Sequence, residues 1–243
     1  MEQATTAQAP AESLFQLQML AFHEDLSVGG QSFHAYKEIH IEYARNKATR
    51  RALDSHSYLW AAMLSGLETA TFMALSRIFD DDAPRSISKL LSLAMGNLEI
   101  FSKERFEARL RILRSNTIDP ESWVPERVAN AYVPTREDFK QIKRAVAEQR
   151  SIFTKRYLPI RNKWYAHREM ERREVRELFR EVSLTSTRGM LDKLSAIDSA
   201  IHSLYFHAKR PDIEVRSERT DAHMLMELEV KKFFKLIRSS TDQ

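Results

Sequence analysis

The segment TRGMLDKLSAIDSAIHSLYFHA, residues 187–208, sets Met190, Leu194, Ile197, Ile201 and Leu204 at alternating intervals of four and three. At those intervals a helix returns to the same face, so the segment predicts a helix with one apolar seam, as in a bundle. Working outward, three more segments share the period. Residues 221–238 place Met226, Val230, Phe233 and Ile237 on one side. Residues 57–79 do so with Trp60, Leu64, Leu67, Ala74 and Ile78, and residues 135–164 with Phe139, Ile142, Val146, Phe153, Ile160 and Trp164. Four long amphipathic helices predict an all-α fold, an antiparallel helix bundle whose four-helix core spans about residues 57–240,.

The composition agrees. Of 243 residues only 5 are glycine and 7 proline, and the long runs are rich in Leu, Ala, Glu, Lys and Arg, all good helix formers,. We expect a small, polar, disordered leader over residues 1–10 and a single helical domain over residues 11–243,. Helical patterning over residues 12–26 is expected to break at Gly29 and Gly30 and to resume over 35–52 as a lightly hydrophobic outer helix,. Pro84 stops the helix that ends in FDDDAP, and Ser86 or Ser88 caps a short one after it,. A further helix over residues 102–113 presents Phe106, Leu110 and Leu113. Residues 115–135, with three prolines, Trp123 and Tyr132, predict an inserted loop that covers one side of the core,. Thr135 followed by Asp138 is a capping box with Asp in place of Glu, and it opens the next helix,.

The chain has no cysteine, which excludes disulfides, thiolate catalysis and cysteine-ligated zinc,. It has no basic start followed by an apolar run, and no stretch of about 18 apolar residues, so neither secretion nor a membrane span is expected and a cytoplasmic protein is,. A formal net charge of +4 tilts the expected partners toward polyanions without specifying one,.

One stretch carries chemistry. PIRNKWYAHRE, residues 159–169, crowds Arg161, Asn162, Lys163 and His167 around Trp164 and Tyr165. Pro159 lacks an N–H and its ring meets the carbonyl of Lys155, so the helix kinks or restarts there,. On a straight helix, which advances about 100° per residue, Arg161 and His167 would stand about 120° apart, so a shared cleft needs that kink or the reach of arginine. Arginine offers a planar, permanently charged fork that matches phosphate, and histidine exchanges a proton near neutral pH. Asn162 adds a neutral amide. Recognition of a phosphodiester with proton transfer is the chemistry such a set suits.

RNKWYAH, residues 161–167, resembles the signature of HEPN-domain ribonucleases: an arginine, a polar residue, a few further residues and a histidine. The helical plan from Ser57 onward is similar to that superfamily, and SRIFDDD, residues 76–82, resembles its abortive-infection U-type branch of bacterial defence. The resemblance implies an endoribonuclease that uses no metal or cofactor and in which the 2′-hydroxyl of the RNA attacks the adjoining phosphorus. It implies His167 as general base or acid, Arg161 as stabiliser of charge on the phosphate oxygens, and Asn162 as the group that orients Arg161 or the phosphate. Lys163 and Arg168 would bind substrate beside them, and Arg77 and Asp80 would support the cleft from the facing helix. Because one histidine serves poorly as both base and acid, the resemblance further implies a homodimer that joins two motifs. An antitoxin or regulatory partner is implied too. The tyrosine that some toxins of the family carry two residues after the histidine, for modification by a nucleotidyltransferase, is Glu169 here.

Structural readings stand beside these. REMERREVRELFRE, residues 168–181, nearly matches arginine with glutamate at helical spacings and predicts a solvated, ion-paired face,. Trp164 and Tyr165 are expected to pack rather than to stack on bases. Asp80, Asp81 and Asp82 are consecutive and do not converge on one ion, and His202 and His207 are five apart where metal ligands on one helix face are four apart,. A second function class stays open: a non-catalytic helical module that binds RNA, nucleotide or protein through the same basic residues.

Overall fold

The computed structural model describes residues 4–113, 122–166, 182–215 and 221–241. Its helices are α1 (Ala4–Arg45), α2 (Lys47–Ser55), α3 (Ser57–Phe79), α4 (Ile87–Gly96), α5 (Lys103–Leu113), α6 (Val124–Ala129), α7 (Arg136–Ile152), α8 (Leu184–His207) and α9 (Asp221–Thr241). A 3₁₀ turn, Leu98–Phe101, precedes α5. No strand occurs among the described residues, and the fold is an all-α helical bundle. Among them no helix is long and apolar enough to cross a membrane.

The chain divides into two compact units, the first comprising Met1–His23, Ile78–Ser151 and Asp192–Val215, the second Glu24–Arg77, Ile152–Leu191 and Arg216–Gln243. In the first unit, Phe101 joins the aromatic core, its ring 5.3 Å from Phe15 and 5.2 Å from Phe139. Phe106, Leu110, Val124 and Ala208 form a second cluster, to which α6 contributes Val124. Arg109 is buried beside Glu12, 2.7 Å away, and lies 4.2 Å from the ring centre of Tyr205. Burial, with the charge of Glu12, pushes the Tyr205 phenol up to about 12, so it stays protonated and donates to Glu12 at 2.9 Å.

The capping box opens α7 as the sequence predicts. The Asp138 carboxylate accepts the Thr135 N–H at 2.7 Å, the Thr135 hydroxyl at 2.8 Å and the Tyr132 hydroxyl at 2.9 Å. Burial alone would raise its pKa, but these bonds outweigh burial and hold it below the usual carboxylate range. A carboxylate with a lowered folded pKa adds stability above its unfolded value of about 3.9 and loses it as pH falls through the folded value. Asp138→Ala is therefore expected to cost about 1–2 kcal/mol at pH 7 and to converge on the parent chain as pH drops toward 2, read from denaturation midpoints.

Two expectations are corrected, one on α1 and one on α9. Where a leader and a break at Gly29 and Gly30 were expected, one helix runs from Ala4 to Arg45. Ala4, Ala7 and Ala9 favour that start. A Cβ on Gly29 would stand 3.0 Å from the Ala74 Cβ, so this glycine lets α1 and α3 approach closely rather than ending a helix,. The break falls instead at Asn46, whose side chain accepts the Ala48 and Thr49 N–H groups and starts α2. Over residues 35–52 Tyr43, Ala44 and Ala48 are exposed, as on an outer helix, while Ile39 faces inward and packs with Leu53, Trp60, Val230 and Phe234. On α9 the core residue is Phe234, fully buried, while Phe233 is 47% exposed. Phe234 is the residue four beyond Val230, and that offset keeps it on the inward face.

Candidate functional site

Residues Arg161–Ala166 of the motif lie on a helix with altered geometry. Beyond Ile152 the chain stays helical, but Phe153–Tyr157 and Arg161–Ala166 are π-helical and only Leu158–Ile160 between them is α-helical. The Leu158 N–H bonds the Phe153 carbonyl, five residues back. Opening the turn by one residue relieves the meeting of Pro159 with the preceding turn, so the kink expected from proline is realised as widened turns.

Tyr157 anchors this segment. Its side chain is fully buried, with the ring 6.0 Å from Phe153 and 5.7 Å from Phe72. Its hydroxyl is 2.9 Å from the Thr187 hydroxyl and 3.3 Å from that of Ser186, which ties the segment to the first turn of α8. Ile160 is buried as well. One residue later the chain reaches its polar group.

Arg161 and Asn162 are half-buried, and the Arg161 Nη1 donates to the Asn162 Oδ1 at 2.8 Å. Lys163 is exposed. The amide uses one of the five guanidinium N–H donors and fixes the plane of the fork, a geometry suited to two phosphate oxygens. His167 and Arg168 lie outside the described residues. Arg77, in the last turn of α3, donates through Nε to the Asp25 carboxylate at 2.6 Å. Asp80 accepts the N–H of Asp82 at 3.0 Å, and Asp81 pairs with Arg150. The acidic run is thus a loop held by local contacts, and among the described residues no three side chains of the metal-binding types converge.

The second unit also holds a feature that the sequence does not announce, a hollow of about 400 Å³ lined by side chains of α1, α3 and the start of α8. Tyr36 and His40, one turn apart on α1, meet edge to face with ring centres 4.4 Å apart. Burial lowers the His40 pKa, and burial together with the Glu68 charge raises that of Tyr36, so both rings are neutral at pH 7. Phe72 and Thr187, two of the side chains that hold Tyr157, line it as well. The only trace of it in the sequence is the spacing of Tyr36 and His40.

No curated protein and no solved structure matches the chain. A family model, HEPN AbiU2, matches residues 15–225, a span that includes the whole of RNKWYAH and most of the bundle. With an all-α bundle, residues Arg161–Ala166 of the motif on a helical segment and a match over most of its length, the chain belongs to the HEPN AbiU2 family, an abortive-infection branch of the superfamily its motif resembles.

Proposed function

We propose that this protein is a HEPN-type endoribonuclease that cleaves RNA by attack of the 2′-hydroxyl on the adjoining phosphorus, without a metal, as a toxin or defence component. The observation that carries the reading is the Arg161–Asn162 hydrogen bond of 2.8 Å on a π-helical turn. Such turns occur often at functional sites, and a guanidinium held in plane is the group this reaction needs where charge develops on phosphorus-bound oxygen. In this reading His167 moves the proton of the attacking hydroxyl or of the leaving oxygen, Arg161 neutralises the developing charge, and Asn162 orients Arg161. Lys163 and Arg168 bind the strand electrostatically. Two chains in a homodimer supply two histidines, one as base and one as acid. Arg77, engaged with Asp25, acts through position, and Asp80 shapes the loop that follows it.

The test is incubation of the purified chain with RNA in excess EDTA, followed by analysis of the product ends. Cleavage that leaves 2′,3′-cyclic phosphate and 5′-hydroxyl ends is the expected result. A strict requirement for added metal, or binding without cutting of any RNA, would favour a non-catalytic module instead.

A further inference from the structure

The junction of α1 and α2, in the second unit, gathers positive charge. RNKATRR, residues 45–51, holds Arg45, Lys47, Arg50 and Arg51, and no acidic residue lies between Glu42 and Asp54. All four cationic residues are exposed. The acids on either side are engaged elsewhere, Glu42 with Arg238 at 3.2 Å and Asp54 with the Tyr43 hydroxyl at 3.1 Å. Among the described residues no carboxylate pairs with any of the four cations. Their placement also runs against helix stability. The first turn of α2, from Lys47, has no acidic residue, so Lys47 and Arg50 stand at the positive end of the helix dipole, where cations are disfavoured,. The helix does not need them to form, since Asn46 caps it and Thr49 and Leu53 are its buried residues. Charge kept there, exposed and without a carboxylate, suits an anionic partner.

One of the four is fixed in place. Arg50 donates through Nε to the Tyr43 carbonyl at 3.3 Å and through Nη2 to the Ala44 carbonyl at 3.1 Å, and its guanidinium lies 5.4 Å from the centre of the Tyr43 ring. It thereby caps the end of α1 and keeps further N–H donors for a ligand. Tyr43 is the one large apolar residue exposed over residues 42–54, and Arg50 covers its ring. The junction therefore has no apolar side chain to sink into lipid and no open ring on which a base would stack. What it offers is three guanidinium forks and an ammonium, a set that fits phosphate groups repeated along a strand. We infer that Arg45, Lys47, Arg50 and Arg51 form a second contact surface for RNA, one that grips phosphates of the strand beyond the bond that is cut. The surface rests on RNA as the proposed substrate, and it holds whether or not that RNA is cut. Phosphate contacts carry no sequence information, so it adds affinity for long strands and leaves the choice of bond to the motif.

The test is filter binding of the full chain to an RNA of about 20 nucleotides at several salt concentrations. It is repeated on a neutral triple variant, Arg45→Gln with Lys47→Gln and Arg51→Gln, and on a charge-keeping one, Arg45→Lys with Lys47→Arg and Arg51→Lys. Arg50 stays in place because it caps α1. Circular dichroism confirms that both variants are folded. The neutral variant is expected to bind about tenfold more weakly at low salt, with the slope of log affinity against log salt shallower by about 2, because three phosphate contacts are gone. The charge-keeping variant is expected to keep the parent slope and most of the affinity. A dinucleotide has a single phosphate, which the motif occupies, so its cleavage is expected to keep the parent kcat/KM in both variants while that of the long strand falls in the neutral one. An unchanged affinity and salt slope in the neutral variant overturns the inference, and so does an equal loss in the charge-keeping variant, which would mark a structural defect. Loss of binding to phosphatidylserine vesicles with RNA binding unchanged would assign the surface to a membrane and overturn it too. RNA binding that depends on these cations without any cutting in EDTA would remove the ribonuclease reading and leave this one standing; cutting with binding independent of them would do the reverse.

Discussion

Replacement of His167 by alanine is expected to slow RNA cleavage by about 10²- to 10⁴-fold while leaving RNA affinity within about threefold of the parent chain, because the imidazole moves a proton and the neighbouring cations carry the contacts to the strand. Arg161→Ala is expected to lose about 10²- to 10³-fold in rate and also to weaken binding, with a shallower dependence of affinity on salt, since one cation facing phosphate is gone. Arg161→Lys should recover binding more than rate, because an ammonium keeps the charge but not the planar fork. Asn162→Ala should fall between these and the parent, since the fork remains and only its orientation is freed. Single-turnover cleavage and filter binding at several salt concentrations separate the four variants. A His167→Ala chain that cuts RNA at the parent rate would show that the proton passes through another group.

Tyr157→Ala is expected to destabilise the protein by about 3–5 kcal/mol, since it removes a fully buried aromatic side chain held between Phe153 and Phe72,. Tyr157→Phe keeps both ring contacts and loses only the hydroxyl, 2.9 Å from Thr187, so it should cost about 1 kcal/mol,. The two variants divide packing from hydrogen bonding at the residue that seats the motif. Arg161 lies four residues beyond Tyr157, so the alanine chain should also lose activity at temperatures where its fold persists, while the phenylalanine chain should not. Denaturant unfolding and cleavage below the midpoint report the two effects. Equal stability of Tyr157→Ala and the parent chain would mean that the aromatic contacts do not hold the segment.

Features written within one or two helical turns were legible in the sequence. The seam of Met190, Leu194, Ile197, Ile201 and Leu204 is buried on α8, and the Thr135–Asp138 box opens α7, because both patterns depend only on spacing along the chain. The RNKWYAH motif was equally legible, as was a distortion at Pro159. What escaped depends on a neighbour remote in sequence. Gly29 signals a break until Ala74 is placed against it, and Phe233 competes with Phe234 until the angle of α9 to Trp60 is known. The hollow of Tyr36, Glu68, Phe72 and Thr187 takes its walls from segments more than a hundred residues apart, so no local pattern could reveal it. Proline announced that the helix would change but not that it would widen into π-helical turns.

The most direct test of the proposed chemistry uses an RNA whose cleavage site has been mapped and in which the single nucleotide 5′ to that bond is replaced by its 2′-deoxy form. Removal of that hydroxyl takes away the nucleophile and leaves the phosphate contacts of Arg161 in place, so the substituted RNA is predicted to bind as before and to remain uncut at that bond. Cleavage at the deoxy position at the unmodified rate would contradict attack by the 2′-hydroxyl and with it the roles given to Arg161 and His167.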